Sequence, residues 1–170
     1  MQASPISARI DGTSVVIGAG KMGYIYELNG LTGVIWKTAV GQHNGHDNDS
    51  LQALEHRLTL KVPYTIAPGS LGGVLTNPAL ARNSVYAATL DVPLTYTSLN
   101  QASPTEAAGL PSGEVEALGL ATGKVVFRRQ LPTSANSPIA IAGNAVIVPA
   151  GGPVTRTGGG DPQVVAYVTP

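Results

Sequence analysis

Three stretches carry residue types that could do chemistry. The first is "GAGKMG", Gly18 to Gly23, which spells G-x-G-x-x-G directly after the apolar run "VVI". That spelling suits a turn that cradles a pyrophosphate, provided a helix begins after the third glycine and offers its N-terminal amides to the anion. Here "YIYEL" follows and then Asn29-Gly30, a turn pair, and Tyr24, Ile25 and Tyr26 favour strand over helix. A dinucleotide site also needs an acidic residue about 20 positions on, at the end of a second strand. Asp47 is near that offset but stands in "GHDND", which is no strand. The expectation is a loop between two strands of a hairpin.

The second stretch is "GQHNGHDND", with His43, His46, Asp47 and Asp49, followed by Glu55 and His56; all three histidines of the chain lie here. Imidazole with carboxylate suits zinc or another first-row ion, and oxygen-rich Asn and Asp suit calcium. His43, His46, Asp47 and Asp49 are therefore candidate metal ligands, although the spacing matches neither a zinc finger nor an EF-hand loop. The competing reading is a solvated loop whose Asn, Asp and Gly make turns. The third stretch, "GGGDP" at Gly158 to Pro162, could offer amides to an anion or form a hairpin tip. "PGSLGG", Pro68 to Gly73, has no helix or lysine behind it. Arg128 and Arg129 adjoin on one expected strand, where alternation sends them to opposite faces, and they read as edge charges that block strand addition. No Ser-His-Asp arrangement is visible, and a chain without cysteine has neither disulfides nor thiolate chemistry.

The elements that would position these residues are short and repeated. The 21 glycines and 13 prolines punctuate runs rich in Val, Ile, Tyr and Thr, the mark of many strands joined by turns. "SLQALEHRL", Ser50 to Leu58, is the one helical candidate, about two turns long. Three segments begin alike: "SPISARIDGTSVVIGAG" from Ser4, "NPALARNSVYAATL" from Asn77 and "SPIAIAGNAVIVPAG" from Ser137. A second element follows twice, "GYIYELNGLTGVIWKTAVG" from Gly23 and "GEVEALGLATGKVVFRRQLP" from Gly113, and "PQVVAYVTP" gives its first part a third time.

Repetition of this kind predicts stacked structural units. The expected strands are Ile6–Ile10, Ser14–Gly18, Tyr24–Leu28 and Val34–Ala39 in the first unit, and Ala79–Ala81, Ser84–Leu90, Glu114–Leu120 and Val125–Gln130 in the second. The third has three, near Ile139–Ile141, Ala145–Val148 and Val164–Val168. Continuous apolar runs such as "AVIV" imply sheets buried on both faces. The fold expected is all-β: a partial β-propeller of two four-stranded antiparallel blades plus a three-stranded last blade. One propeller segment would span 1–170, with a blade at 4–41 and an insertion at 42–76, a blade at 77–132 with an insertion at 91–112, and an incomplete blade at 137–170. Long loops on a rigid scaffold are where function is expected.

The units resemble the pyrroloquinoline-quinone-type repeat of quinoprotein dehydrogenases and of outer-membrane assembly scaffolds. Blades of that family carry a docking motif, A-x-D-x-x-T-G-K-x-x-W, whose tryptophan stacks on the neighbouring blade. Ala117, Thr122, Gly123 and Lys124 match it, with Gly119 for the acid and Phe127 for tryptophan. Asn29, Thr32, Gly33 and Trp36 match it in the first unit, with Glu27 in place of alanine and one residue fewer between turn and Trp36. The shortening requires a bulge before Trp36 or an indole facing the other way, since strand period is two. By this resemblance Thr32, Gly33, Trp36, Thr122, Gly123 and Phe127 are blade-docking residues.

Two function classes follow: a binding or scaffold propeller that presents loops to a protein or small molecule, or part of a quinone-dependent alcohol dehydrogenase. The second would bring pyrroloquinoline quinone and calcium as cofactors, with an aspartate as base; the residues assign neither a calcium-ligand set nor that aspartate. A ring closes with about four to eight blades, so the expected partners are the remaining blades, supplied by a longer chain of which this is the C-terminal part or by association. Ten basic and ten acidic residues cancel, and 12% charge leaves no electrostatic footprint for nucleic acid. No apolar run reaches the roughly 18 residues of a membrane span. The resemblance implies a periplasmic or extracellular location. "MQASPISARIDG" has neither the basic start nor the apolar stretch of a signal peptide, so an export signal would lie outside this sequence.

Overall fold

A computed structural model of the chain describes residues 3–46, 61–69, 71–98, 105–106, 111–152 and 160–169. Blade 1 is built from β1 (Ile6–Ile10), β2 (Thr13–Gly20), β3 (Tyr24–Asn29) and β4 (Gly33–Ala39), in that order across an antiparallel sheet. Blade 2 repeats the order with β6 (Ala79–Ala81), β7 (Ser84–Ala88), β10 (Glu114–Gly119) and β11 (Val125–Gln130). The third sheet has β12 (Ala140–Ala142), β13 (Ala145–Ala150) and β14 (Gln163–Val168). The fold is an all-β partial propeller, and the edge strands β6 and β12, the first of their blades in chain order, lie against each other.

Hairpin chemistry explains why the strands end where they do. Asp11-Gly12 and Arg82-Asn83 all have positive φ, the geometry of a two-residue turn whose twist suits the flanking strands. The opening motif is divided differently from expectation. Gly18 to Gly20 continue β2, Gly20 pairs with Tyr24, and the loop is only Lys21-Met22-Gly23, with Gly23 in the left-handed region at φ 65°. That is a three-residue hairpin closing on a left-handed glycine; strand residues follow it, so no helix terminus is present to hold a phosphate. The Ser50 to Leu58 helix candidate lies outside the described residues.

Alternation sorts each strand onto two blade interfaces. Ile17, Ala19, Ile25 and Trp36 of blade 1 pack with Val85, Ala87, Leu118 and Leu120 of blade 2. Tyr86, Ala88, Val115, Ala117 and Phe127, on the other face of blade 2, pack with Val146 and Val148 of the third sheet. Among the described residues only the middle blade is covered on both sides. In the outer sheets Val34 and Val16 are exposed, and Val164 and Val168 are 73% and 69% exposed.

The two insertions, read from sequence as separate loops, contain strands that pair with each other. β5 (Tyr64–Ile66) comes from the first, and β8 (Leu94–Tyr96) and β9 (Thr105–Glu106) from the second; together they form an antiparallel sheet in the order β5-β8-β9. Isolated bridges Gly73↔Leu90 and Asp91↔Ser112 tie its base to blade 2. Residues 42–76 leave β4 and residues 91–112 leave β7. Alternating strand direction brings both out at the same end of the sheets, together with Lys21-Met22-Gly23. That end is the loop face.

Candidate functional site

The interface between blades 1 and 2 is organised around Trp36. Its Nε1–H lies 2.6 Å from Glu27 Oε2 and 3.0 Å from the Leu120 carbonyl of the next blade, so one donor serves two acceptors. The indole rests on the Gly123 turn: a Cβ there would fall 2.6 Å from Cδ2 of Trp36 and 2.7 Å from Cε3. Thr38, two residues along the same face, donates to the Gly123 carbonyl at 2.7 Å. Glu27 is buried, and desolvation pushes its carboxyl above the usual range, the Trp36 hydrogen bond pulling it back in part.

Register shows how the shortened motif in blade 1 is absorbed. Glu27 pairs with Trp36 and Leu28 with Val34; Ala117 pairs with Phe127 and Leu118 with Val125. Both sheets carry a bulge at the equivalent place, at Ile35 and at Val126. The missing residue is therefore lost from the turn, where Asn29 pairs directly with Gly33 while the Gly119 amide reaches Lys124. Trp36 and Phe127 thus face the same way, each toward the next blade. Phe127 meets Tyr167 edge-on, with centroids 6.4 Å apart. Thr122 Oγ1 accepts the Lys124 amide at 3.3 Å. Thr32 and Gly33 are exposed, and a Cβ on Gly33 would meet nothing within 4 Å.

Toward the loop face the same interface becomes ionic. Glu116 is fully buried; it accepts the Gly41 amide at 2.9 Å through Oε1 and Arg128 Nη2 at 2.8 Å through Oε2. Arg128 Nε is 3.3 Å from Glu114 Oε2, and Asp91 Oδ1 accepts the Gln42 amide at 3.0 Å. Burial raises the Asp91 carboxyl above its ordinary range, the Gln42 amide, Thr89 hydroxyl and His43 opposing and Glu116 adding to the rise. Glu114 is raised by burial first, then by the Glu116 and Asp91 charges, against Arg128. Arg128 is held more firmly protonated, chiefly by its hydrogen bond to Glu116. Arg128 and Arg129 do lie on opposite faces, but Arg128 pairs with the buried Glu116 and the half-buried Glu114 instead of only guarding an edge, and Arg129 sits 5.0 Å from the Phe127 ring.

His43 is turned inward. Its Nε2 lies 2.9 Å from the Gly23 carbonyl and 3.2 Å from that of Val40; carbonyls only accept, so this nitrogen carries the hydrogen. The ring also meets Tyr24 edge-on at 4.9 Å. His46 Nδ1 is 2.9 Å from the Tyr64 hydroxyl at the start of β5, and Asn44 fastens the same loop by accepting the Ala67 amide and donating to the Thr65 carbonyl. Asp47, Asp49, Glu55 and His56 lie outside the described residues. Among the described residues no three His, Asp or Glu side chains are grouped to hold a metal ion. Sequence reasoning missed Asp91, Glu114 and Glu116. The signal was "EVEAL": two acids two apart in an apolar strand share a face, with Arg128 opposite Glu116 in register.

No family model matches the chain, and no curated protein is detectably similar in sequence. Among solved structures, the chain is similar to the quinohemoprotein alcohol dehydrogenase ADHIIG from Pseudomonas putida HK5, with a TM-score of 0.61 at 15% identity over 96% of this chain. It is equally similar to the quinohemoprotein alcohol dehydrogenase from Comamonas testosteroni, with a TM-score of 0.61 at 16% identity. In both cases it spans 28% of the length of the dehydrogenase. BamB from Moraxella catarrhalis matches over 99% of this chain and 50% of its own, at 16% identity and a TM-score of 0.36. Among the described residues no helix is long and apolar enough to cross a membrane. The two dehydrogenase matches, together with the strand order, show the fold, a partial β-propeller.

Proposed function

We propose that this chain is part of a longer propeller ring outside the cytoplasm and acts as a binding or scaffold module through its loop face. The observation that supports this most is the joining of both insertions into the β5-β8-β9 sheet, since separate loops have no reason to pair unless they build a common surface. Thr32, Gly33, Trp36, Thr122, Gly123 and Phe127 serve as blade-docking residues in this reading, and further blades cover the outer sheets. The face of the third sheet turned away from blade 2 carries Ile147, Val164, Ala166 and Val168 with small alanines, without a charge. Sedimentation of the 17.3 kDa chain should show association or binding of an apolar-surface dye. A stable monomer that binds none would overturn the ring reading.

The second reading, part of a quinone-dependent alcohol dehydrogenase, rests on the fold likeness to the two quinohemoprotein enzymes. Among the described residues, Oδ1 of Asp91 and both carboxylate oxygens of Glu116 are engaged by backbone amides and Arg128, and Nε2 of His43 faces carbonyls. His43, His46, Asp47 and Asp49 remain the proposed ligands if a metal binds the loop. Calorimetric titration with zinc and with calcium, repeated on His46→Ala, tests this, and absence of heat removes it. Alcohol-dependent dye reduction by the full-length protein supplied with quinone and calcium would replace the binding reading with the enzymatic one; its absence is the result expected.

A further inference from the structure

The first insertion leaves blade 1 through a grip supplied by blade 2. Gly41 has φ +76°, and a Cβ there would fall 2.5 Å from Asp91 Oδ1 and 3.0 Å from Thr89 Cβ, so the backbone is pressed against the neighbouring blade. The consecutive amides of Gly41 and Gln42 point to two different carboxylates, Glu116 and Asp91. Asp91 also begins the second insertion, and its backbone pairs both ways with Ser112, N to O at 2.7 Å and O to N at 3.2 Å. One residue therefore fastens the start of the first insertion and both ends of the second.

The grip is electrostatically unbalanced. Asp91, Glu114 and Glu116 converge where the described residues supply one guanidinium, Arg128, half exposed to solvent. His43 from the first insertion is the other titratable group facing Asp91, and Thr89 adds a hydroxyl. Three acids against one fixed cation repel when all are ionised, and burial, the largest cause of both raised carboxyls, acts in the same direction.

We infer that Asp91, Glu116 and the Gly41-Gln42 amides form a proton-sensitive latch that sets how tightly the paired insertions are held on the loop face. Protonating Asp91 removes a charge from the cluster and leaves its carbonyl oxygen to accept the Gln42 amide. The sign follows from the direction of the shifts: Asp91 and Glu114 have raised carboxyls in the closed arrangement. Closure is therefore favoured below the ordinary carboxylate range and weakens as pH rises through the raised values. The latch does not depend on what the loop face binds.

Amide exchange of the segments around 40–46, 64–66 and 94–96, normalised to the intrinsic rate at each pH, tests this on the full chain from about pH 4, the ordinary carboxylate value, up to about pH 8. Protection in the wild type should fall by roughly threefold or more as pH rises, while Asp91→Asn, which keeps an acceptor and loses the charge, should stay nearly flat. Glu114→Gln removes one of the two raised carboxyls and its repulsion without touching either gripped amide, so it should lessen the dependence even if Asp91→Asn folds poorly. Equal protection at both ends in the wild type, or an undiminished fall in Glu114→Gln, would overturn the latch.

Discussion

The indole of Trp36 lies on the backbone of Gly123, one blade away, at a distance that leaves no room for a side chain: a Cβ would sit 2.6 Å from Cδ2. Gly33, at the equivalent turn of blade 1, has a similar left-handed φ of 82° but open space around it. The pair separates backbone strain from interface contact. Gly33→Ala should cost about 1 kcal/mol, the strain alone. Gly123→Ala adds displacement of the buried indole and should cost about 3 kcal/mol or more. Urea unfolding of both variants measures the difference, and equal costs would mean that Trp36 does not depend on this turn.

Much of this interface was legible in the sequence because its causes are local. Repeated strand-turn-strand units, left-handed turn glycines and large aromatics follow from composition and period, and they led to strands close to those observed. The three-stranded sheet shared by the insertions was not legible, since pairing β5 with β8 depends on two segments far apart in the chain that carry no common pattern. The reach of β2 into "GAGKMG" was hidden by the glycines, which read as a loop until Gly20 is seen paired with Tyr24. Glu27 was visible only as a departure from the motif. That its carboxylate receives the Trp36 N–H follows from register, and register was obscured by a turn one residue short and a bulge at Ile35. The acids at 91, 114 and 116 were not singled out, because their burial between blades is a property of the assembled stack.

Glu27 with Trp36, and Ala117 with Phe127, occupy the same register positions in successive blades. The first pair is polar and hydrogen-bonded, the second apolar, and mixing them leaves a buried group without its partner. Trp36→Phe strands the buried Glu27 carboxyl and should cost about 2–3 kcal/mol. Adding Glu27→Ala, which reproduces the second pair, should recover part of that loss, giving a coupling of about 1 kcal/mol or more in a double-mutant cycle. The raised Glu27 carboxyl adds a pH signature: its contribution is fully present below the ordinary carboxylate range and is lost as pH rises through the raised value. Glu27→Gln, which keeps an acceptor for the indole, should therefore lose stability relative to wild type in mild acid and gain relative to it as pH rises. A cycle that sums to zero would show the two residues to be energetically independent.

Arg128 and Arg129 are neighbours in sequence with opposite surroundings. Arg128 is about half exposed, yet it holds Glu116, whose side chain is fully buried, at 2.8 Å. Removing the guanidinium leaves a buried charge held by the Gly41 amide and beside the Glu114 carboxyl, so Arg128→Ala should cost about 3 kcal/mol. Arg129 donates to the Arg128 carbonyl and lies over Phe127 at 5.0 Å from the outside of the sheet. Its loss should cost no more than about 1 kcal/mol. Arg128→Ala combined with Glu116→Gln should restore much of the difference, because the uncharged side chain still accepts the Gly41 amide. Denaturant midpoints of the three variants and the wild type at one pH settle the comparison. If Arg128→Ala proved as mild as Arg129→Ala, Glu116 would have to be accommodated without the ion pair, held by the Gly41 amide.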